Sequence, residues 1–504
     1  MRLRITAAVG SAAAVTTALS LCASAGASAA AADTPATVHI AANQAIARVQ
    51  PASAGADTPF WNPYLTDAVT VQRIRAAGIR NLDFDAGSPI DLYDWRTNTL
   101  RPDPDRARDR ANGLDPTGLT PQFSFDKFES VAKAAGAQTT VHVNYGTGTP
   151  QEAAAWVTYA NRIRRDHVHN WIVGEEVYLD QLIEPDRRVP KDVDWTTKRE
   201  DTAVNAQRYA RNVIAYSRAM KAVDPSIHIG VEMWALDPAQ LATNPMAQFI
   251  HTWCQDVANT PGLANAVDFA DIHWLGDFND ESGTIGPQLA TTATIRPAVT
   301  DLRTMLNAHA RPGHRIGIIA GEVNSASAGN SYTGTQGNAA YLADTNFTLL
   351  ENGVAGVDWF ALYSGLNAAL PDGDLGLLSS HDCKADDNGK QVCEAPVGTP
   401  FPTYYGMQLF TTAARPGGRI VKAAPAGDVS AHAVRRPDGS LAVLLVNRNG
   451  TRTSDVRLAV DGYRARGSAT QLQSIGTGIT RTTTAPDSTL HLPPYSVTVV
   501  LLHH

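Results

Sequence analysis

The chain has 504 residues, 43 % of them hydrophobic and 18 % charged, with a formal net charge of −7. That length is too great for one ordinary domain, and the composition describes a globular protein able to bury a large core. Lys and Arg are scattered without a basic stripe, which gives no electrostatic reason to expect nucleic acid or an anionic membrane as partner.

Residues 1–32 read as a secretory signal peptide. Arg2 and Arg4 form a basic start, residues 5–21 an apolar run, and Ala27-Ser28-Ala29 offers a small-residue cleavage site. The competing reading is a membrane anchor, but the run is rich in Ala, Ser and Thr and only weakly hydrophobic. Leu21 before Cys22 is not the small residue that a lipidation site requires. The expectation is a Sec-type secreted protein, free of the membrane after cleavage. Residues 33–58 follow, with strand patterns at 37–40 and 45–49 that read as a hairpin-like pair joining a C-terminal sandwich. A first barrel strand is expected near 52–56.

Residues 59–400 repeat a strand-then-helix beat. Strands are expected at 79–84, 139–143, 171–173, 227–231, 267–273, 316–320 and 357–362. Between them lie helices at 71–77, 123–135, 151–165, 204–222, 295–308 and 339–351. Short apolar strands alternating with amphipathic helices predict a parallel sheet, and eight strands close a (β/α)8 TIM barrel. Residues 401–504 turn to all-β texture, with strand runs at 429–434, 441–446, 456–460 and 496–501 separated by Pro437-Asp438-Gly439 and Asn449-Gly450. They predict a C-terminal antiparallel β-sandwich.

Three cysteines lie beyond the signal region. Cys383 and Cys393 bracket a polar loop, and a disulfide closing it is the natural extracellular outcome. Cys254 is the odd one and reads as a buried thiol. No zinc spacing, nucleotide loop or calcium loop is present, so no metal and no cofactor are expected. Asp277-Phe278-Asn279-Asp280 and Asp372-Gly373-Asp374 read as solvated loops.

The chemistry is expected at the carboxyl ends of the strands. Glu176 ends Trp171-Ile172-Val173-Gly174-Glu175-Glu176 after strand four, and Glu322 ends Ile316-Gly317-Ile318-Ile319-Ala320-Gly321-Glu322 after strand seven. Either alone reads equally well as a surface carboxylate. Two carboxyls at the exits of two barrel strands are the minimum apparatus for cleaving a glycosidic bond. Asn144, Tyr145, His273, Trp274 and Tyr363 stand at other strand ends as wall or hydrogen-bonding residues, with barrel-rim packing as the alternative.

At these residues the chain resembles the clan A glycoside hydrolases, in particular secreted actinobacterial α-L-arabinofuranosidase-like proteins and their β-xylosidase and β-glucuronidase relatives. The clan's acid/base segment, Trp-x-Ile-Gly-Asn-Glu-x-Tyr, is similar to Trp171 through Tyr178. The nucleophile segment resembles Ile319-Ala320-Gly321-Glu322-Val323-Asn324-Ser325. Val141-His142-Val143-Asn144-Tyr145-Gly146-Thr147-Gly148-Thr149-Pro150 and Thr399-Pro400-Phe401-Pro402-Thr403-Tyr404-Tyr405 also match. The resemblance implies a retaining glycosidase with Glu176 as acid/base, protonated, and Glu322 as ionised nucleophile. It implies a carbohydrate substrate contacted by Glu175, Asn144, Tyr145, His273, Trp274, Tyr178, Asn324, Tyr363 and Asp85. The chain departs from the clan at Glu175, where an Asn is expected, and at Leu82-Asp83-Phe84-Asp85-Ala86-Gly87-Ser88, where Leu-Arg-Tyr-Pro-Gly-Gly-Ser is expected. Those changes leave as the alternative a non-catalytic glycan-binding protein on a degenerate glycosidase barrel, and further off a structural or adhesive protein that uses the barrel as scaffold.

Overall fold

The computed structural model describes residues 35–85, 87–101, 120–178, 202–276, 284–327, 329–365, 373–385 and 389–504. The expected signal peptide, Asp277-Phe278-Asn279-Asp280 and Asp372 lie outside the described residues.

Eight parallel strands close a barrel in chain order: Gly55–Asp57, Asn81–Phe84, Gln138–Val143, Asn170–Val173, His228–Trp234, Phe269–Leu275, Gly317–Asn324 and Gly356–Trp359. Each is followed by a helix of the outer ring: Ala68–Ala77, Phe125–Ala135, Pro150–Val157, Thr202–Val223, Pro245–Ala258, Ile295–Asn307, Gln336–Glu351 and Pro402–Ala413. The third begins as a helix should. Thr149 accepts a hydrogen bond from the Glu152 amide, and Pro150 occupies the first turn, where it forfeits no bond. The second buries Phe125, Phe128, Val131, Ala132 and Ala135 along one stripe. These rings meet Phe84 and Trp156 in an aromatic cluster that seals strand two against the helical layer.

The segment 402–413 corrects the sequence reading, which began the β module there. It is the eighth ring helix, tied to the first by Tyr404 Oη donating to the Arg73 carbonyl (3.0 Å), Gln408 to Ala76 (2.9 Å) and Thr411 to Ala77 (2.7 Å). Its pattern of Tyr404, Met407 and Phe410 has helical period, which the neighbouring β texture masked.

The C-terminal β domain is one continuous nine-stranded sheet. Its order is Ile479–Thr484, Ala469–Ser474, Val497–Leu502, Leu441–Asn447, Val429–Arg435, Arg419–Ala424, Ala36–Arg48, Ser454–Asp461 and Leu490–Leu492. All neighbours are antiparallel except Ala36–Arg48 with Ser454–Asp461. The N-terminal segment does join this sheet, but the hairpin-like pair is a single strand. A bulge between Ala41 and Ala45, where those residues face adjacent Lys422 and Val421, produces the polar interruption that looked like a turn. Leu441–Asn447 is buried on both faces. Leu441, Val443 and Leu445 join Val38, Ile40 and Val500 in the sheet's own core, while Ala442, Leu444 and Val446 pack into the core shared with the barrel. At this junction His432 sits between Asp344 (2.9 Å) and Glu351 (2.8 Å) of the seventh ring helix, its ring stacked on Phe347.

Cys383 and Cys393 form the disulfide. Cys254 is buried and free, its Sγ accepting from the Trp234 amide (3.3 Å), and burial pushes its thiol up to about 12. No helix among the described residues is long and apolar enough to cross a membrane.

Candidate active site

Strand four ends at Val173, and the chain turns sharply through Gly174, whose amide donates to the Val143 carbonyl (3.1 Å). Gly174 has φ +84°, and a Cβ there would stand 2.8 Å from Val177 and 3.2 Å from Tyr145. Glu176, two residues on, has φ +44°, a left-handed backbone that costs a side-chain-bearing residue on the order of 1–2 kcal/mol. The turn swings the Glu176 carboxyl over the barrel mouth. Strand seven achieves the same by another device. Ala320 pairs with Ile272 and Glu322 with His273, so Gly321 is an extra, bulged residue. A Cβ on Gly321 would meet the Asp271 carboxylate at 2.5 Å. The bulge places Glu322 beside His273.

His273 is the hub. Its Nδ1 is 2.9 Å from Glu176 and 3.5 Å from Glu322, while Nε2 is 3.6 Å from Glu175 and 3.8 Å from Asp271. One ligand atom from each of Glu175, Glu176, His273 and Glu322 lies within 4.8 Å of the others. Glu176 and Glu322 keep 17 % and 12 % of their side-chain surface exposed, whereas Glu175 and His273 keep 1 % each. The mouth therefore presents two carboxyls, braced from below by groups that water does not reach.

The brace extends into the barrel. His142 of strand three lies 3.0 Å from Glu175 and 3.5 Å from Asp83. Buried Asp57, Asp83, Asp85, Glu232, Asp271 and Asp358 come from strands one, two, five, six and eight or their ends. Burial and the repulsion of neighbouring acids raise Asp57, Glu232, Asp271 and Asp358. Glu175 is pushed up to about 8 by burial and Asp85, against the pull of His273 and His142. Asp271 is pushed up to about 7, chiefly by burial. Asp57, Glu232 and Asp358 are driven well above the carboxylate range, again by burial first. For the two histidines burial alone lowers the pKa, but Asp83 and Glu175 around His142, and Glu175, Glu322 and Glu176 around His273, raise both well above the usual value. Glu322 is raised well above its ordinary range by burial, Glu176, Glu175 and Asp85, with His273 opposing. The counterweight to these influences on Glu322 is the His273 charge.

The residues expected at the site divide into two groups. Glu176, Glu322, Glu175, His273 and Asp85 converge, Asp85 within 4.8 Å of His142 and Glu175. Glu175 is closed in between two imidazoles, so it braces His273 and has no face for a sugar hydroxyl. Tyr178 is buried beneath the mouth against Trp234 and Trp253, its ring edge-on to His273. The others serve the scaffold. Trp274 follows His273 in the strand, and strand alternation sends it into the outer core. Tyr363 hydrogen-bonds Thr70 (2.9 Å) under the first ring helix. Asn324 donates to the Phe360 and Leu375 carbonyls and accepts from Ser325 and Asn338. Asn144 holds its own turn through Thr147 and the Tyr93 carbonyl, and the Tyr145 hydroxyl accepts from Asn212. Sequence reasoning singled out Asp83 as a departure from the clan and missed His142, Glu232, Asp271, Asp57 and Asp358 as members of the network. Their signal is a titratable residue inside a short apolar strand, as in Val141-His142-Val143 and Val231-Glu232-Met233.

Among the described residues, three groups are close enough to hold a metal ion: Glu175, Glu176, His273 and Glu322; Asp85, His142 and Glu175; and Glu232, Asp271 and His273.

No known family model matches the chain. It is similar to a probable α-L-arabinofuranosidase C of Aspergillus clavatus, 26 % identical over 192 residues that cover 35 % of this chain and 33 % of the relative. It is also similar to α-L-arabinofuranosidase C of Emericella nidulans, 30 % identical over 125 residues, or 22 % of this chain and 21 % of the relative. The chain thus spans about a third or less of the length of these relatives. Among solved structures it resembles an α-L-arabinofuranosidase from Thermotoga maritima, with TM-score 0.66 and 16 % identity over 93 % of this chain and 99 % of the other. A family 51 arabinofuranosidase from Xanthomonas axonopodis pv. citri gives TM-score 0.65 and 13 % identity, over 93 % and 100 %. A xyloglucanase from Paenibacillus polymyxa gives 0.62 and 12 %, over 93 % and 99 %. These likenesses establish the barrel-plus-sheet fold.

Proposed function

We propose that the chain is a secreted retaining glycoside hydrolase that removes α-L-arabinofuranosyl side chains from polysaccharide or glycoconjugate, with Glu176 as acid/base and Glu322 as nucleophile. The observation that carries this reading is that these two carboxyls, from strands four and seven, are the members of the buried acid cluster that reach solvent, with one oxygen of each within 4.8 Å. That closeness suits double displacement, in which the carboxyl groups stand about 5–5.5 Å apart.

In the first step a Glu322 oxygen attacks the anomeric carbon as the bond to the leaving oxygen breaks, and Glu176 delivers its proton to that oxygen. A glycosyl ester forms. In the second step Glu176 takes a proton from water, the water oxygen attacks the anomeric carbon, and Glu322 leaves as a carboxylate. His273 touches both carboxyls through Nδ1, so it shares charge with whichever is ionised at each stage. Its charge also opposes the burial that raises Glu322. The similarity to proteins named α-L-arabinofuranosidases supports the choice of sugar. The pattern of residues 1–32 and the disulfide Cys383–Cys393 support export.

The test is hydrolysis of an aryl-glycoside panel led by the α-L-arabinofuranoside, using the purified mature protein beside Glu176→Gln and Glu322→Gln. Turnover on the arabinofuranoside that both substitutions abolish is the expected result. A folded protein that binds arabinofuranosides without turnover would replace the reading with glycan binding. N-terminal sequencing of protein from the culture medium tests export, with a start near residue 30 expected.

A further inference from the structure

Glu232 and Asp271 are register partners on strands five and six, and His273 lies two residues beyond Asp271 on the same face. All three side chains point into the barrel behind the candidate catalytic pair, and a ligand atom from each lies within 4.8 Å of the others. Glu232 and Asp271 are fully buried, and all four of their carboxylate oxygens lack a hydrogen-bond donor among the described residues. Neither forms an ion pair with Lys or Arg among those residues. A buried carboxylate with nothing to bind is costly, and two side by side are more so.

The imidazole between them and the mouth is arranged asymmetrically. Its Nδ1 is within hydrogen-bond distance of Glu176 (2.9 Å), whereas the carboxylate oxygens nearest Nε2, on Glu175 and Asp271, stand at 3.6 and 3.8 Å. Those separations are too long for hydrogen bonds. The 3.8 Å to Asp271 falls between the roughly 3 Å and 4.2 Å that separate adjacent and opposite ligands around a cation with bonds of about 2.1 Å. An imidazole that donates one ring N–H to a carboxylate while its other nitrogen binds a metal is the usual second-shell arrangement of metal-bound histidine.

We propose that Glu232, Asp271 and His273 Nε2 bind one first-row divalent cation, Zn2+ or Mn2+, in the barrel interior behind the catalytic glutamates. One imidazole with two carboxylates suits such an ion, whereas Ca2+ and Mg2+ favour all-oxygen shells. The ion neutralises the two orphaned carboxylates. It also fixes the His273 tautomer with its proton on Nδ1, so the imidazole donates to Glu176, and the positive charge set against Glu322 is then the ion's rather than that of a doubly protonated ring. Sequence spacing hides such a site, because Glu232 and Asp271 come from different strands and His273 follows Asp271 by only two residues.

The experiment uses the full mature chain, stripped with chelator and then incubated separately with ZnCl2, MnCl2 or CaCl2. Bound metal is measured by mass spectrometry after gel filtration, and the unfolding midpoint is followed alongside. The expected result is about one Zn2+ or Mn2+ per chain, with the midpoint raised by several degrees. Asp271→Asn should lose the ion and Glu322→Gln should keep it. Less than about 0.1 Zn2+ and Mn2+ per chain with an unmoved midpoint overturns the proposal, leaving the two carboxyls to share protons instead. So does stoichiometric Ca2+ in preference to the other two, or an ion lost in Glu322→Gln and kept in Asp271→Asn. Metal content is read without substrate, so its outcome is independent of the glycosidase reading.

Discussion

The core of the C-terminal sheet and the interior of the barrel are both buried, yet they are made of opposite materials. Val38, Ile40, Val421, Leu441, Val443, Leu445, Leu490 and Val500 fill the first, with no titratable group among them. The second encloses Asp57, Asp83, Asp85, Glu175, Glu232, Asp271 and Asp358 around two histidines. Burial of apolar area stabilises the sheet at about 25 cal/mol per Å2. The barrel interior forgoes that gain and sets buried charges against one another. Its stability must come from the layer between strands and ring helices, where Leu82, Phe84, Trp156 and Trp171 sit. The contrast marks the barrel interior as the place where composition answers to chemistry.

Substitutions can break or sharpen this contrast. The largest expected effect is on turnover: Glu176→Gln and Glu322→Gln each lower kcat by about 10⁴-fold or more, to below detection, without loss of folding. Steady-state kinetics on the arabinofuranoside measure both. In the sheet, Leu445→Ala should cost about 2–5 kcal/mol in denaturant unfolding and leave kcat per folded molecule unchanged. Gly321→Ala forces a Cβ against the Asp271 carboxylate. It should cost about 1–3 kcal/mol and lower activity as well, because the bulge that aims Glu322 is disturbed.

A subtler effect separates the two buried histidine sites. Burial alone lowers the pKa of His432, but Glu351 and Asp344 bring it up to about 10. The unfolded-chain value is about 6.5, so the stabilisation by His432 is complete below that pH and drains away as pH rises toward 10. The stability advantage of the natural protein over His432→Gln should therefore narrow steadily across that window, as read by unfolding at several pH values. The smallest effect belongs to the barrel acids. Asp358 accepts from Asn81 (2.8 Å) and is driven toward its neutral form, so Asp358→Asn should change stability by less than about 1 kcal/mol, or improve it. A large loss there would mean that the acid network carries stability after all.

Much of the frame was legible from periodicity alone. Eight apolar strand runs gave the barrel, and Gly-Glu after strands four and seven gave the two carboxyls at its mouth. Periodicity failed where two signals overlapped: helix 402–413 was absorbed into β texture, and the bulge after Ala41 passed for a turn. Within the site, Glu175 looked like a substrate contact because it precedes Glu176, and only the placement of His142 and His273 shows that it is enclosed. Trp274 and Tyr363 were read from strand-end position without the alternation that sends one outward, or the helix that covers the other. Glu232 and Asp271 escaped notice because their partnership is across strands, which no spacing in the chain records.

The most direct measurement is the anomeric configuration of the first-formed product. Hydrolysis of an aryl α-L-arabinofuranoside by the mature protein is followed by proton NMR, with Glu176→Gln and Glu322→Gln in parallel. The account predicts release of the α-anomer ahead of mutarotation, and no release by either variant. Release of the β-anomer, turnover that survives both substitutions, or no turnover on any glycoside of the panel by folded protein would contradict it.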